Sequence, residues 1–241
     1  MFSSSAFPAQ ALVNQESAEA MASAAKRART EAPESYRKLD LEALSLKKIE
    51  GRDSPMYLAV IDRHMAEFIL TPDEPAVLLR GFDMSGEKEK RSFNVDEGKG
   101  NSLGLYVQLD EDQADFLKKA ANRIKTEFEA EEAVEWTPMF PGEKYSTYAV
   151  GVEVVLAGQE SSLTHLRIKK GEEKHAGTGW AFLKEMAGER TFKGCEAMFV
   201  VKFRAWKAVV NGVTKAGLKL VATQLAIKVP ERKVVDVLPD W

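Results

Sequence analysis

A long alternation of apolar and polar side chains near the C-terminus is the feature that most constrains the fold. Ala197, Phe199, Val201, Phe203 and Ala205 alternate with a set that includes Lys202, Arg204 and Trp206. A period of two residues indicates a β-strand with one face toward a core. Asn211-Gly212 then predicts a tight turn, or with Gly217 a longer loop, before an apolar run. We therefore expect a long β-hairpin formed by residues 197–210 and 218–229.

Other apolar runs predict shorter strands. Side chains alternate again over Tyr148–Leu156 and Leu163–Lys170. Earlier runs are separated by turn residues and predict an antiparallel meander. These runs cover residues 56–61, 67–70, 76–79, 91–95 and 103–109.

One long amphipathic helix is expected between the two sets of strands. Phe116, Ala120, Ile124 and Phe128 recur every four residues, and Asp110 is a favourable N-cap. The pattern predicts a helix over residues 111–131, followed by a loop at Trp136-Thr137-Pro138. A second, short helix is expected over residues 180–187, with Thr178 as its cap.

The order of these elements predicts a β-rich α+β fold. It fits an oligonucleotide-binding-type Greek-key barrel with additional N-terminal antiparallel strands and one amphipathic helix. A small β-sandwich is compatible with the same order.

Composition and motifs argue against several classes of protein. The single cysteine, Cys195, cannot form an intramolecular disulfide, and a reducing, intracellular location in nucleus or cytoplasm is expected. Three widely spaced histidines give no metal-binding pattern, and no cofactor is expected. The sequence has no phosphate-binding loop, no nucleophile elbow and no apolar run of membrane-spanning length. We therefore expect a binding protein rather than an enzyme.

The charge distribution suggests a polyanionic partner. The net charge of −3 conceals about −8 over residues 1–150 and about +6 over residues 151–229. Cations and an aromatic ring on one face of a sheet are what single-stranded nucleic acid requires. The candidate DNA-binding residues are Arg167, Lys169, Lys170, Lys202, Arg204, Trp206, Lys207 and Lys219. Trp206 as a half-buried packing residue is the alternative interpretation.

Three regions are expected along the chain. Residues 1–38 are predicted to be a disordered arm, in which Lys26-Arg27-Ala28-Arg29 is a nuclear signal, a phosphate contact or part of a charged linker. Residues 39–230 are predicted to form one β-rich nucleic-acid-binding domain. Residues 231–241 are predicted to be an acidic, aromatic-ended tail. Its candidate partner-binding residues are Asp236, Leu238, Asp240 and Trp241, and a frayed end is the alternative.

The layout resembles the single-stranded DNA-binding proteins of large nucleocytoplasmic DNA viruses, distant relatives of the T7-type phage protein. The resemblance lies in the order of Leu105–Leu109, Phe116-Leu117, Trp136-Thr137-Pro138, Tyr148–Leu156, Phe203–Trp206 and Leu218–Ile227. It implies an oligonucleotide-binding barrel that coats single strands during replication, in a host cell. The tail also resembles the tails by which phage and bacterial single-strand binders recruit replication proteins, although it has only two acidic residues in Asp236–Trp241.

The leading hypothesis is sequence-independent binding of single-stranded DNA, or of RNA, as an accessory to replication, recombination or repair. The alternative is a structural protein of a virion or assembly that makes protein–protein contacts. Oligomerisation is compatible with either.

Overall fold

The computed structural model describes residues 33–49, 56–61, 67–80, 102–140, 148–187 and 192–230. The predicted strand at 91–95, residues 1–32 of the predicted arm and the predicted tail at 231–241 lie outside the described residues.

The described part of the chain is mostly β-structure with two α-helices, which confirms a β-rich fold. The strands are β1 (Glu34–Ser35), β2 (Leu44–Ile49), β3 (Met56–Ile61), β4 (Glu67–Ile69), β5 (Ala76–Arg80), β6 (Ser102–Gln108), β7 (Glu135–Thr137), β8 (Ala149–Val155), β9 (His165–Lys170), β10 (Glu173–Thr178), β11 (Glu196–Val210) and β12 (Val213–Val229). The helices are α1 (Glu111–Glu131) and α2 (Gly179–Ala187).

The predicted hairpin is the centre of the sheet, and its turn is the two-residue one. Asn211 and Gly212 have φ angles of 53° and 77°, the left-handed values that such a turn requires. The second strand therefore begins at Val213, five residues before the predicted position, and Gly217 lies within it. A bulge at Thr223 shifts the pairing near Val200. Since the extra residue lies in β12, the alternation along β11 is uninterrupted.

Both edges of this hairpin are paired with other strands. The free edge of β12 pairs in turn with β7, β8 and β9, each time in parallel. The free edge of β11 pairs antiparallel with β4 and β5. Since β5 also pairs with β6, and β6 with β8, the path β5–β6–β8–β12–β11 closes on itself. The result is a large mixed sheet, while β2 and β3 form a separate hairpin.

Helix α1 has the predicted boundaries, because its N-terminus carries its own cap. The Asp110 carboxylate accepts a hydrogen bond from the backbone N–H of Gln113 at 2.7 Å, and the Gln113 side chain accepts one from Asp110 N–H at 3.0 Å. The face formed by Leu117, Ile124 and Phe128 is fully buried. The helix thus covers the inner side of the sheet and completes the core.

Two segments expected to be irregular belong to the folded unit. Residues 135–137 form β7 rather than a loop, and the Lys215 ammonium donates to the Glu135 carboxylate at 2.7 Å beside this pairing. Residues 33–38, at the end of the predicted arm, are described, and Tyr36 is buried against Phe116 with ring centroids 5.2 Å apart. Glu34 and the residues that follow it thus belong to the same compact unit as the strands.

Candidate nucleic-acid interface

The outer face of β11 carries the polar side chains that the alternation predicted. Phe199, Val201 and Phe203 are at most 3% exposed, whereas Arg204 is exposed and Trp206 is half-buried. In an antiparallel pair, directly opposed residues lie on the same side of the sheet. The outer face of β12 therefore includes Lys219, the partner of Arg204, and Gly217, the partner of Trp206.

Trp206 lies on the backbone of the neighbouring strand. A Cβ built on Gly217 would lie 2.8 Å from the indole Nε1, so the ring occupies the space that a side chain would take. The Lys219 ammonium is 5.8 Å from the ring centroid, within the range of a cation–π contact. Trp206 is thus a half-buried residue on the outer face, and its ring packs against the backbone at Gly217.

Two cations on this face share one carboxylate. The Arg204 guanidinium is 3.7 Å from Glu153 Oε1, and the Lys219 ammonium is 3.9 Å from Glu153 Oε2. The side chains of Arg204 and Lys219 are 55% and 54% exposed, against 20% for Glu153. Because both contacts exceed hydrogen-bonding distance and both cations face solvent, they remain accessible to an external anion.

Tyr106 provides a second aromatic ring on the same face. It pairs with Gly151 on β8, and a Cβ on Gly151 would lie 3.8 Å from the Tyr106 ring. The sequence-based prediction included neither Tyr106 nor Glu153. The signal was present for Tyr106, since Leu103, Leu105 and Val107 are buried on the other face. We refer to Tyr106, Glu153, Arg204, Trp206 and Lys219 as the hairpin cluster.

Arg167 and Lys169 lie on the same face but form a separate group. Arg167 pairs with Ala226 on β12, and Ala226 pairs with Met198 on β11. Arg204 is six residues beyond Met198, which corresponds to roughly 20 Å along the strand. Lys202, half-buried, lies between the two groups. The expected common surface exists, but its cations are spread along the hairpin rather than gathered in one cluster.

The second group borders a groove of about 280 Å³. Its apolar lining includes Met198, which is 42% exposed, and Ala226. Its basic lining includes Arg167, Lys169 and Lys174. We refer to these five residues as the basic groove. An apolar surface with cations beside it suits either a nucleobase with its phosphate or an acidic peptide.

Two predicted DNA-binding residues lie on the opposite face. Lys207 has the same orientation as Phe203, and its ammonium contacts Glu132 at 2.5 Å and lies 5.0 Å from the Tyr57 ring centroid. Burial tends to lower the pKa of Lys207, but the hydrogen bonds to Glu132 and Tyr57 outweigh it and raise that pKa. Lys170 pairs with buried Val229 and is on the side of β9 opposite to Lys169. The two-residue period of a β-strand explains why Lys207 and Lys170 face away from Trp206 and Lys169.

Other kinds of site receive no support from the described residues. No group of His, Cys, Asp and Glu in this part of the chain is arranged to hold a metal ion. Neither of the two described helices is both long and apolar enough to span a membrane. The candidate tail residues Asp236–Trp241 lie outside the described residues.

Comparisons with known proteins give only distant similarities. No protein-family model matches the chain, and no curated protein matches it in sequence. Among solved structures, gp2.5, a single-stranded DNA-binding protein encoded by bacteriophage T7, is 8% identical with a TM-score of 0.39, over 73% of this chain and 98% of that one. The single-stranded DNA-binding protein from bacteriophage Enc34, in complex with single-stranded DNA, is 11% identical with a TM-score of 0.37, over 78% and 97%.

Proposed function

We propose that this protein binds single-stranded DNA without sequence specificity, through the outer face of the β11–β12 hairpin. The observation that carries the proposal is the hairpin cluster. It combines an indole fixed against the sheet by Gly217 with two solvent-facing cations, Arg204 and Lys219.

Each component matches one physical requirement of a single strand. Every base has a flat face that stacks on an aromatic ring, so Trp206 and Tyr106 bind bases irrespective of sequence. Arg204 and Lys219 neutralise phosphates and release their counterions, which makes binding weaken as salt rises. Lys202 and the basic groove extend the cationic surface along the hairpin.

The strand pairings support a barrel of the oligonucleotide-binding type as the scaffold. Five strands pair in the closed order β5–β6–β8–β12–β11. If these five strands are numbered by their order along the chain, they pair in the order 1-2-3-5-4. The fifth strand thus lies between the third and the fourth, as in a Greek key. Helix α2 lies between the third and fourth strands of this circuit, and α1 is an addition between the second and third. The hairpin cluster lies on the outside of this barrel.

Titration with oligo-dT at two salt concentrations tests the proposal. We expect quenching of tryptophan fluorescence on binding and a steep loss of affinity at the higher salt concentration. Replacing Trp206 by Ala should cost about 1–3 kcal/mol of binding free energy, the usual contribution of one stacked base. Absence of binding at low salt would refute the function, and binding that is unaffected by Trp206→Ala would refute the site.

The biological role belongs to the same proposal. A protein that binds along single-stranded DNA irrespective of its sequence serves replication, recombination or repair. It would act in the nucleus or cytoplasm of its cell. The relation to the single-strand binders of large nucleocytoplasmic DNA viruses rests on the order of motifs given above. Binding to oligo-U RNA, compared with oligo-dU of equal length, distinguishes RNA from DNA preference.

The C-terminal tail is proposed to recruit a replication protein through Asp236, Leu238, Asp240 and Trp241. Its acids and terminal aromatic side chain are the chemistry that a basic, apolar-lined pocket recognises. Deleting residues 231–241 should leave the unfolding transition unchanged and abolish a protein contact or raise DNA affinity. If neither changes, the tail has no role in binding.

A structural role in an assembly is favoured by one different observation. Val209, Val210 and Val213 at the end of the hairpin are 70%, 43% and 44% exposed. Exposed β-branched side chains at a strand edge are typical of surfaces that contact protein. Under this alternative, Val209→Lys prevents self-association measured by sedimentation while leaving oligo-dT binding intact.

A further inference from the structure

We propose that the surface over Gly104, bordered by Tyr106 and Glu153, is a subsite that holds one nucleobase flat and reads its edge. This subsite rests on the proposed function and deepens it, because it assigns a base preference to one position of an otherwise sequence-tolerant site. The first observation concerns Gly104 itself. It lies inside β6, it is exposed on the outer face, and a Cβ built on it would have no atom of the described residues within 4 Å.

Nothing within the described residues requires glycine at this position. Its φ angle is outside the left-handed region, unlike that of Gly212, so an ordinary side chain fits the backbone. No ring lies over it, unlike Gly217 beneath Trp206. Glycine weakens a strand interior, and it commonly marks a place where a ligand approaches the backbone closely. The open surface over Gly104 is therefore best explained by an external flat group.

The neighbours of this surface identify the flat group as a base. Tyr106 is two residues along the same strand, roughly 7 Å away on the same face. Gly104 pairs directly with Glu153 on β8, and Glu153 contacts Arg204 and Lys219. A base over Gly104 is thus placed beside an aromatic ring, while its phosphate is within reach of two cations on the adjoining strands.

The Glu153 carboxylate determines which base this subsite prefers. Its oxygens lie 3.7 Å and 3.9 Å from the two cations, beyond hydrogen-bonding distance, so both remain able to accept. A carboxylate accepts from the N4 amino group of cytosine, whereas uracil presents a carbonyl oxygen at that position. Cytosine is therefore favoured over uracil at this position.

The first test is Gly104→Val, with Ser45→Val in the separate β2–β3 hairpin as the control. A β-branched residue suits a strand, and its Cβ would have no atom of the described residues within 4 Å, so unfolding in urea should be unchanged or shifted to higher urea. Affinity for oligo-dC should fall about 5-fold to 150-fold, the range for one stacked base. Ser45→Val should bind like the wild type. A folded Gly104→Val protein with wild-type affinity would overturn the subsite.

The second test compares oligo-dC with oligo-dU, which differ at the edge that Glu153 reads. The wild type should bind oligo-dC about fivefold or more tightly. In Glu153→Gln this preference should shrink, while affinity for oligo-dU rises because a negative charge beside the phosphates is removed. Equal changes for both oligonucleotides would overturn the reading role. Failure of the wild type to bind either would instead refute the proposed function, and the subsite with it.

Discussion

The indole of Trp206 occupies the place of a side chain on Gly217, the residue with which it pairs across the hairpin. A Cβ on Gly217 would lie 2.8 Å from the indole Nε1 and 2.9 Å from Cε2. The φ angle of Gly217 is outside the left-handed region, so the ring, and not the backbone, is what requires glycine there. Because Gly217 on β12 has no side chain, the indole of Trp206 on β11 can lie against the β12 backbone and is held there.

Replacing Gly217 by Ala should displace this ring. The new Cβ cannot share its space with the indole, so Trp206 must rotate or shift, at a cost of about 1–3 kcal/mol in the free energy of unfolding. Oligo-dT affinity should fall toward that of Trp206→Ala. Denaturant titrations and tryptophan emission measure the two effects. Unchanged emission and affinity in Gly217→Ala would show that the ring does not depend on Gly217.

Arg204 and Lys219 should each contribute to the salt dependence of binding. Removing one phosphate contact from a single-strand complex reduces the slope of log K against log salt by about 0.7. We expect this reduction for Arg204→Ala and for Lys219→Ala, measured by oligo-dT titration at several salt concentrations. Lys207→Ala is the matched control, because Lys207 lies on the opposite face and should leave the slope unchanged.

Lys207 is instead expected to stabilise the fold. Its ion pair with Glu132 and its position over the Tyr57 ring together contribute about 1–2 kcal/mol, which Lys207→Met should remove. The folded-state pKa of Lys207 is raised, so this stabilisation is complete below the unfolded pKa of about 10.4 and is lost as pH rises through the folded pKa. The difference in unfolding free energy between the two proteins should therefore narrow at alkaline pH. A constant difference would contradict the ion pair.

Local patterns predicted the elements whose structure depends on neighbours in sequence. The alternation from Ala197 to Ala205 fixed which side of β11 is buried, and the Asp110 cap fixed the start of α1. Asn211-Gly212 specified the turn because few other residues adopt two successive left-handed conformations.

Contacts between distant segments account for what the sequence did not predict. Residues 135–137 form a strand only because β12 offers them an edge, and no local pattern encodes that parallel pairing. Glu153 was missed because its role depends on Arg204 and Lys219, which lie more than 50 residues away in sequence. The same alternation that places Trp206 on the outer face of β11 places Lys207 on the inner face, so the sequence alone could have separated these two residues.

The separation of the hairpin cluster from the basic groove predicts a dependence on oligonucleotide length. Arg167 is level with Met198, eight residues from Trp206 along β11, or roughly 26 Å. At the stacked spacing of about 3.4 Å per nucleotide, this distance takes about eight nucleotides.

A strand of about 4 nucleotides should therefore contact one group, and a strand of about 16 should contact both. We expect Arg167→Ala to reduce the salt slope by about 0.7 for the long oligo-dT and to leave binding of the short one unchanged. Arg204→Ala should weaken both, since the short strand is expected to bind where Trp206 and Tyr106 offer stacking. If Arg167→Ala changes neither slope, the basic groove is not part of the DNA path. If it weakens the short strand more than Arg204→Ala does, the groove is the primary site and the hairpin cluster the secondary one.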